Sequence, residues 1–294
     1  MRPMAIETLE RAARAVSPRH RRWRRLLDGL RIDPDALERP VASPSGHDFL
    51  ICGAPRSGTT LLAAMLWQPP AVVTVSEPWD GLRLPPKELF ASFRREISDT
   101  GTLRRGRLDV SRLEHTGDVV WARDGEIEAP ANVTTGYLLG VKWPAFWRYL
   151  PELPETKFLV CLRRPVDVIT SFRTHGGDLR LGFDYDCAFN RSMNAELRAT
   201  SGDEALRRVL LYEYINARVA PYLDRPNVYV VRYERWFTER SRMLEEIGDF
   251  LGLRLGPGLP IIREPKGGAG ATPRELALIE RHCTVARALG YAAA

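Results

Sequence analysis

The sequence predicts an α/β protein: three layers, with a central parallel sheet flanked by helices on both faces. Three observations predict it. Short apolar runs of strand length recur along the chain, at Phe49–Cys52, Lys157–Leu162 and Val228–Val231. Segments with helical spacing of apolar residues separate them, and strands alternating with helices build parallel sheets. A glycine-rich turn joins the first apolar run directly to a helix.

Taken in order, residues 1–46 differ from the rest. Met4–Val16 reads as a helix, His20-Arg21-Arg22-Trp23-Arg24-Arg25 is a basic cluster, and Pro40-Val41-Ala42-Ser43-Pro44-Ser45-Gly46 reads as a linker. The cluster is either a solvated helix face or a contact for a membrane surface, a polyanion or an acceptor. The main domain is expected over residues 47–294. It opens with the strand Phe49–Cys52, the turn, and a helix over Thr59–Trp67. Val72–Val75 is a second strand, stopped by Ser76-Glu77-Pro78. Residues 80–135 are polar and arginine-rich; Leu89, Phe90, Phe93 and Ile97 mark one amphipathic helix in what reads as an acceptor-side insertion or a mobile segment.

Lys157–Leu162 is the clearest buried strand, followed by a helix from about Val166. Ser201-Gly202-Asp203-Glu204 reads as a capping box opening a helix to about Tyr222. After the strand Val228–Val231, a helix over Thr238–Leu251 carries Met243, Leu244, Ile247, Phe250 and Leu251 on one face. Thr272-Pro273-Arg274-Glu275 combines an N-cap, a first-turn proline and a third-position glutamate, and that helix is expected to run to Gly290.

Composition narrows the class. The 294 residues hold enough material for a sizeable core, and the formal charge of +6 suits an anionic ligand. The four cysteines, Cys52, Cys161, Cys187 and Cys283, have no metal-type spacing, so they read as free thiols and no metal site is expected. No signal-peptide core and no apolar run of spanning length occur, which predicts a cytoplasmic protein with, at most, peripheral membrane contact through its basic start. Nothing beyond the charge points to nucleic acid.

The loop Gly53-Ala54-Pro55-Arg56-Ser57-Gly58-Thr59-Thr60 carries the chemistry. Backbone N–H groups at a helix start bind anions through unpaired donors and the helix dipole. The spacing from Gly53 to Gly58 is P-loop-like, but Thr59 and Thr60 stand where a nucleotide-hydrolysing loop has Lys then Ser/Thr. The cation, Arg56, lies inside the loop. The strands that would supply a magnesium-binding acid end instead in Arg163-Arg164 and Arg232.

Pro55-Arg56-Ser57-Gly58-Thr59-Thr60-Leu61 resembles the 5′-phosphosulfate loop of the sulfotransferases that use 3′-phosphoadenosine 5′-phosphosulfate (PAPS) as donor. Leu162-Arg163-Arg164-Pro165-Val166-Asp167-Val168-Ile169-Thr170-Ser171 resembles their second element, in which an Arg and a Ser eight residues later hold the donor's 3′-phosphate. The resemblance implies that Arg163 and Ser171 take that role. It implies donor contacts for Pro55, Arg56, Ser57, Gly58, Thr59 and Thr60, and adenosine 3′,5′-bisphosphate as product. Val141-Lys142-Trp143-Pro144, Val231-Arg232-Tyr233-Glu234 and Phe250-Leu251-Gly252-Leu253 are weaker matches, so the likeness spans roughly residues 49–253. Lys266, in Arg263-Glu264-Pro265-Lys266-Gly267-Gly268, loosely echoes a late phosphate-binding loop. Leu61 replaces the aromatic residue that stacks on adenine in some members.

The acceptor must lose a proton as it attacks. None of the five histidines lies in the Lys-Thr-His segment used by cytosolic small-molecule members, whereas carbohydrate-type and several bacterial members use a glutamate soon after the loop. Glu77 is therefore the expected base, with His175, Asp178 and Glu126 in reserve. Arg56 and Lys142 are expected to stabilise the leaving phosphate, since a lysine between apolar neighbours needs a ligand or carboxylate partner. Trp79, Trp121, Trp143 and Trp147 are either core or the lining of an acceptor cleft. The leading reading is sulfuryl transfer to a hydroxyl, of a carbohydrate or glycolipid; a small-molecule natural product as acceptor, a P-loop kinase or hydrolase, and a polyanion-binding protein stay open.

Overall fold

The computed structural model describes residues 48–104, 106, 108–109, 120–121, 128–133, 136–174, 179, 191–200, 202–258 and 270–291. The expected N-terminal extension, residues 1–46, lies outside the described residues. In chain order come β1 (Phe49–Gly53), α1 (Thr59–Met65), β2 (Val72–Ser76) and α2 (Pro86–Thr100). Two small antiparallel pairs follow: β3 (Thr102–Arg104) with β6 (Glu128–Pro130), and β4 (Leu108–Asp109) with β5 (Val120–Trp121). Then come β7 (Leu138–Lys142), β8 (Lys157–Leu162), α3 (Pro165–Ser171), α4 (Arg191–Arg198) and α5 (Glu204–Val219). The chain continues with β9 (Val228–Arg232), α6 (Arg235–Thr238), α7 (Arg240–Leu251), α8 (Pro273–His282) and α9 (Thr284–Ala288).

The main sheet has the order β2-β7-β1-β8-β9, and every neighbouring pair is parallel. This is the three-layer α/β architecture that the alternation of strands and helices predicts. Strands buried on both faces read as continuous apolar runs, and all five residues of β1 are buried. The pleat still sorts them. Phe49 and Ile51 pack with Leu62 and Met65 of α1 and with Met243 and Ile247 of α7. Leu50 and Cys52 face the other way, into a cluster with Phe90 and Phe93 of α2, Val168 of α3 and Leu211 of α5. Full burial of each such leucine or phenylalanine contributes roughly 1.5–3 kcal/mol. Helix α2 thus covers the sheet, within the segment that by sequence reads as insertion. Cys52, Cys161 and Cys283 are buried free thiols.

Among the boundaries that differ from the sequence reading, three helix ends have a local reason. The cap of α5 is Asp203, whose carboxylate accepts from the N–H groups of Ala205 (3.0 Å) and Leu206 (3.3 Å). Glu204, the first residue inside α5, pairs with Arg208 at 2.8 Å. Helix α8 has the expected capping box at Thr272 and Glu275 but stops at His282, because Glu213 accepts from the Thr284 hydroxyl (2.6 Å) and the Val285 N–H (2.8 Å) and starts α9 as a separate helix. The stretch expected as one helix over Thr238–Leu251 begins instead at Arg240, after the single turn of α6.

Candidate active site

Parallel strands end together, and the sheet register decides which residues meet at that edge. Ser76 of β2 pairs with Lys142 of β7, and Lys142 pairs with Ile51 of β1. Gly53 of β1 pairs with Cys161 of β8. Glu77, the loop after Gly53 and Arg163 therefore emerge side by side at the carboxyl ends of the strands, where open α/β sheets bind ligands.

The loop is tightly shaped. Gly58 sits just before α1 with φ +99°, and a side chain there would run into the Tyr233 ring. Arg56 has φ +69°, a left-handed backbone that L-residues rarely adopt outside functional sites. Pro55, Ser57 and Thr59 are buried, while Arg56 is exposed. Helix α1 has no side-chain cap and no acid in its first turn, which leaves the helix start without a side-chain acceptor of its own. The Ser57 hydroxyl is buried and has no hydrogen-bond partner among the described residues, which is rare unless a ligand or water supplies one.

On the β2 side, Lys142 is 1% exposed and its Nζ donates to Thr60 Oγ1 at 2.9 Å and to Glu77 Oε1. The Glu77 N–H donates to the Lys142 carbonyl at 2.7 Å, and Glu77 has φ +52°. Each of these two buried charges compensates the other, which is the condition for keeping either. The carboxylate, the ammonium and the α1 hydroxyl form one compact group.

On the β8 side, Arg163 donates from Nη1 to the Arg56 carbonyl at 3.0 Å, and Arg56 Nε donates to Ser171 Oγ at 2.8 Å. The Arg163 guanidinium lies 4.1 Å from the Tyr233 ring centre, a cation–π contact that holds the side chain in place. Tyr212 donates to the Arg163 carbonyl at 2.9 Å, and the Tyr233 N–H donates to the Leu162 carbonyl at 2.9 Å. Burial pushes the Tyr233 hydroxyl's pKa up, partly offset by Arg163. Tyr233 and Tyr212 escaped the sequence reading as site residues; Tyr233 follows Arg232 in a segment noted there only as a weak match.

The structure brings together Pro55, Arg56, Ser57, Gly58, Thr59, Thr60, Glu77, Lys142, Arg163 and Ser171. Lys266, His175, Asp178 and Glu126 lie outside the described residues. Two of the strand-end arginines serve the chain itself. Arg232 donates to the Leu289 carbonyl at 2.8 Å, and Arg164 donates to Asp167 at 2.9 Å. Trp143 is 6% exposed in the core, and Trp147 packs edge-on against Tyr214 with ring centres 6.3 Å apart. Trp79 is half-buried against the same cluster, and the Trp121 side chain is outside the described residues. Among the described residues no group of three or more His, Cys, Asp or Glu is placed to hold a metal ion, and no helix is long and apolar enough to cross a membrane.

A family model described as the sulfotransferase family matches residues 48–257, more than two thirds of the chain. The chain belongs to the sulfotransferase family. Membership makes it an enzyme of the sulfotransferase type and implies PAPS as the sulfate donor. No curated protein matches the sequence. Among solved structures, this sulfotransferase is similar to the sulfotransferase domain of the Synechococcus PCC 7002 olefin synthase, with 18% identity over 86% of this chain and 98% of that one, at a TM-score of 0.45. It is also similar to a sulfotransferase from Alicyclobacillus acidocaldarius, with 16% identity over 86% and 98% of the two chains and a TM-score of 0.41. Mouse sulfotransferase SULT7A1, solved in complex with PAP, shows 14% identity over 84% and 90%, with a TM-score of 0.42. These likenesses are distant, and the family assignment of this sulfotransferase rests on the family model.

Proposed function

We propose that this enzyme transfers the sulfuryl group of PAPS to an acceptor hydroxyl, with Glu77 as general base and Lys142 and Arg56 as the cations at the leaving phosphate. The observation that carries the proposal is the meeting of Glu77, Lys142 and Thr60 beside a loop whose buried Ser57 hydroxyl lacks a partner among the described residues. The residues present fit a phosphosulfate: donors at an uncapped helix start, a hydroxyl awaiting an acceptor atom, and arginine and lysine side chains for the charge. Pro55 to Thr60 would hold the 5′-phosphosulfate end. Arg163 and Ser171 would hold the 3′-phosphate, and the Arg56–Ser171 bond supports treating the two ends as one site. Lys266 is retained as a further donor contact.

PAPS, when bound, supplies an electrophilic sulfur and a phosphate leaving group. The chain supplies the rest. Glu77 accepts the proton of the attacking hydroxyl on its carboxylate, which Lys142 holds in place through its bond to Oε1. The Lys142 and Arg56 cations offset the charge that grows on the leaving phosphate as the sulfuryl group passes in line. The same set of side-chain cations supports chemistry that needs no metal. A carboxylate base in place of a histidine supports a carbohydrate or glycolipid hydroxyl as acceptor, and we place the reaction in the cytoplasm.

The test is transfer of labelled sulfate from PAPS to a panel of glycans, glycolipids and phenols, by wild type and Glu77→Gln. The proposal expects product with wild type and a fall of about 100-fold or more in kcat for the variant, within the range general-base removal produces. Undiminished turnover by Glu77→Gln removes Glu77 as the base; transfer to phenols alone removes the carbohydrate assignment.

A further inference from the structure

The base turn is held in a conformation that its own residues do not favour. Glu77 is left-handed at φ +52°, and such a backbone persists in a residue with a side chain only when its surroundings over-determine it. Lys142 fixes one side through its carbonyl, at 2.7 Å from the Glu77 N–H. The other side is closed by a segment about thirty residues downstream. Gly106 forms a parallel bridge with Ser76, the residue before Glu77. Gly106 itself has φ +77°, and a Cβ added there would overlap the Ser76 carbonyl and stand 3.0 Å from the Pro78 nitrogen. Only glycine allows the two backbones to lie so close.

Two residues earlier on the same segment, Arg104 ties that strand to the base turn and to α2. Its Nη2 donates to Asp80 Oδ2 at 3.0 Å, and its Nε donates to Glu96 Oε2 at 3.0 Å. The Arg104 N–H donates to Glu96 Oε1 at 3.0 Å. Asp80 lies three residues after Glu77, in the single helical turn Trp79–Leu82, and is 6% exposed. A carboxylate so buried needs cationic partners; Arg104 supplies one and Arg83 another. Glu96 belongs to α2, which is anchored in the core through Phe93 and Ile97.

We propose that residues 104 and 106 form a strap that positions Glu77 for proton transfer: Gly106 presses on Ser76 and Pro78 from one side, while Arg104 fastens the Asp80 turn to α2. This rests on the reading of Glu77 as the base. The bonds of Arg104 to Asp80 and Glu96 and the bridge from Gly106 to Ser76 act on the base turn, so both are positioning residues for removal of the acceptor proton and not for donor binding.

The strap predicts a split that general damage to the fold does not produce. Arg104→Gln, Gly106→Ala, Arg104→Lys and Glu77→Gln are compared for kcat, KM for PAPS and thermal stabilisation by adenosine 3′,5′-bisphosphate. The expected result is a fall in kcat of roughly 10- to 100-fold for Arg104→Gln and Gly106→Ala, the scale of a misplaced catalytic group. KM for PAPS and the bisphosphate stabilisation stay at wild-type values, and Arg104→Lys, which can still reach one carboxylate, recovers part of kcat. If Gly106→Ala does not fold, the arginine pair decides alone. Wild-type kcat in Arg104→Gln while Glu77→Gln is inactive overturns the strap and leaves the base intact. Parallel loss of kcat and bisphosphate stabilisation also overturns it, as simple structural damage. Full activity in Glu77→Gln overturns the base reading and the strap together.

Discussion

Glu275 is buried at 1% exposure in the first turn of α8 and collects more partners than any capping role requires. Its Oε2 accepts from the Thr272 N–H at 2.8 Å and the Thr272 hydroxyl at 3.0 Å. Its Oε1 accepts from Arg208 Nη2 at 2.8 Å and from Arg173 Nε at 3.2 Å, and Arg173 Nη2 bonds the other oxygen. Burial pushes this carboxyl's pKa up, but Arg173, the Thr272 backbone and Arg208 outweigh it and hold it at about 2, against an ordinary 4.5. A group whose pKa is depressed by folding contributes stability above its unfolded pKa and loses it as pH falls through the folded one. The fall from 4.5 to about 2 corresponds to roughly 3 kcal/mol, at about 1.4 kcal/mol per pH unit. Glu275→Gln keeps the shape and removes the charge, leaving Arg208, only 9% exposed at its side chain, facing a neutral amide. Urea denaturation at pH 7 should show a loss of about 3 kcal/mol, or a melting temperature lower by roughly 5–10 °C. The gap between wild type and variant should stay full down to about pH 5 and close progressively towards pH 2. An unchanged midpoint at pH 7, or a gap that stays constant to pH 3, refutes the reasoning.

Other outcomes follow from the same geometry. Gly58→Ala puts a methyl group into the Tyr233 ring at φ +99°, so calorimetry should show bisphosphate binding weakened at least tenfold, about 1.4 kcal/mol. Lys142→Met removes the ammonium bonded to the buried Glu77 carboxylate; chemical denaturation should register a loss of about 3–5 kcal/mol and sulfuryl transfer should cease. Asp203→Ala removes the acceptor for two N–H groups at the start of α5 and should lower stability by about 1 kcal/mol in the same assay, with turnover unchanged.

Much of the sheet was legible because its strands are short apolar runs: Lys157–Leu162 reads as a strand at its true limits, and β1 and β9 each miss only their last residue. The capping box at Thr272 was legible because it is local. Strand β7 was not read, although it lies between β1 and β2. Its five residues include Gly140, packed under the Phe49 ring, and Lys142, both poor strand markers taken singly. At the site, the loop and Arg163 are chain-local motifs and could be named. That Lys142 meets Glu77 depends on the register of β2 against β7, a pairing across 65 residues that no local pattern encodes. The same holds for Tyr233 beneath Arg163 and for the Arg104 bridge to Asp80. The break at Cys283 comes from Glu213, which is 71 residues from Thr284.

The central claim is a donor site made of two halves, the loop from Gly53 to Thr60 and the Arg163–Ser171 element. Thermal stability followed during titration with adenosine 3′,5′-bisphosphate, and separately with ATP and magnesium, tests it most directly. A ligand at 100 times its Kd stabilises the folded state by about 2.7 kcal/mol. The account predicts that the bisphosphate raises the melting temperature of wild type and that Arg163→Ala abolishes the rise. Stabilisation by ATP and magnesium alone, or an undiminished bisphosphate effect in Arg163→Ala, would contradict it.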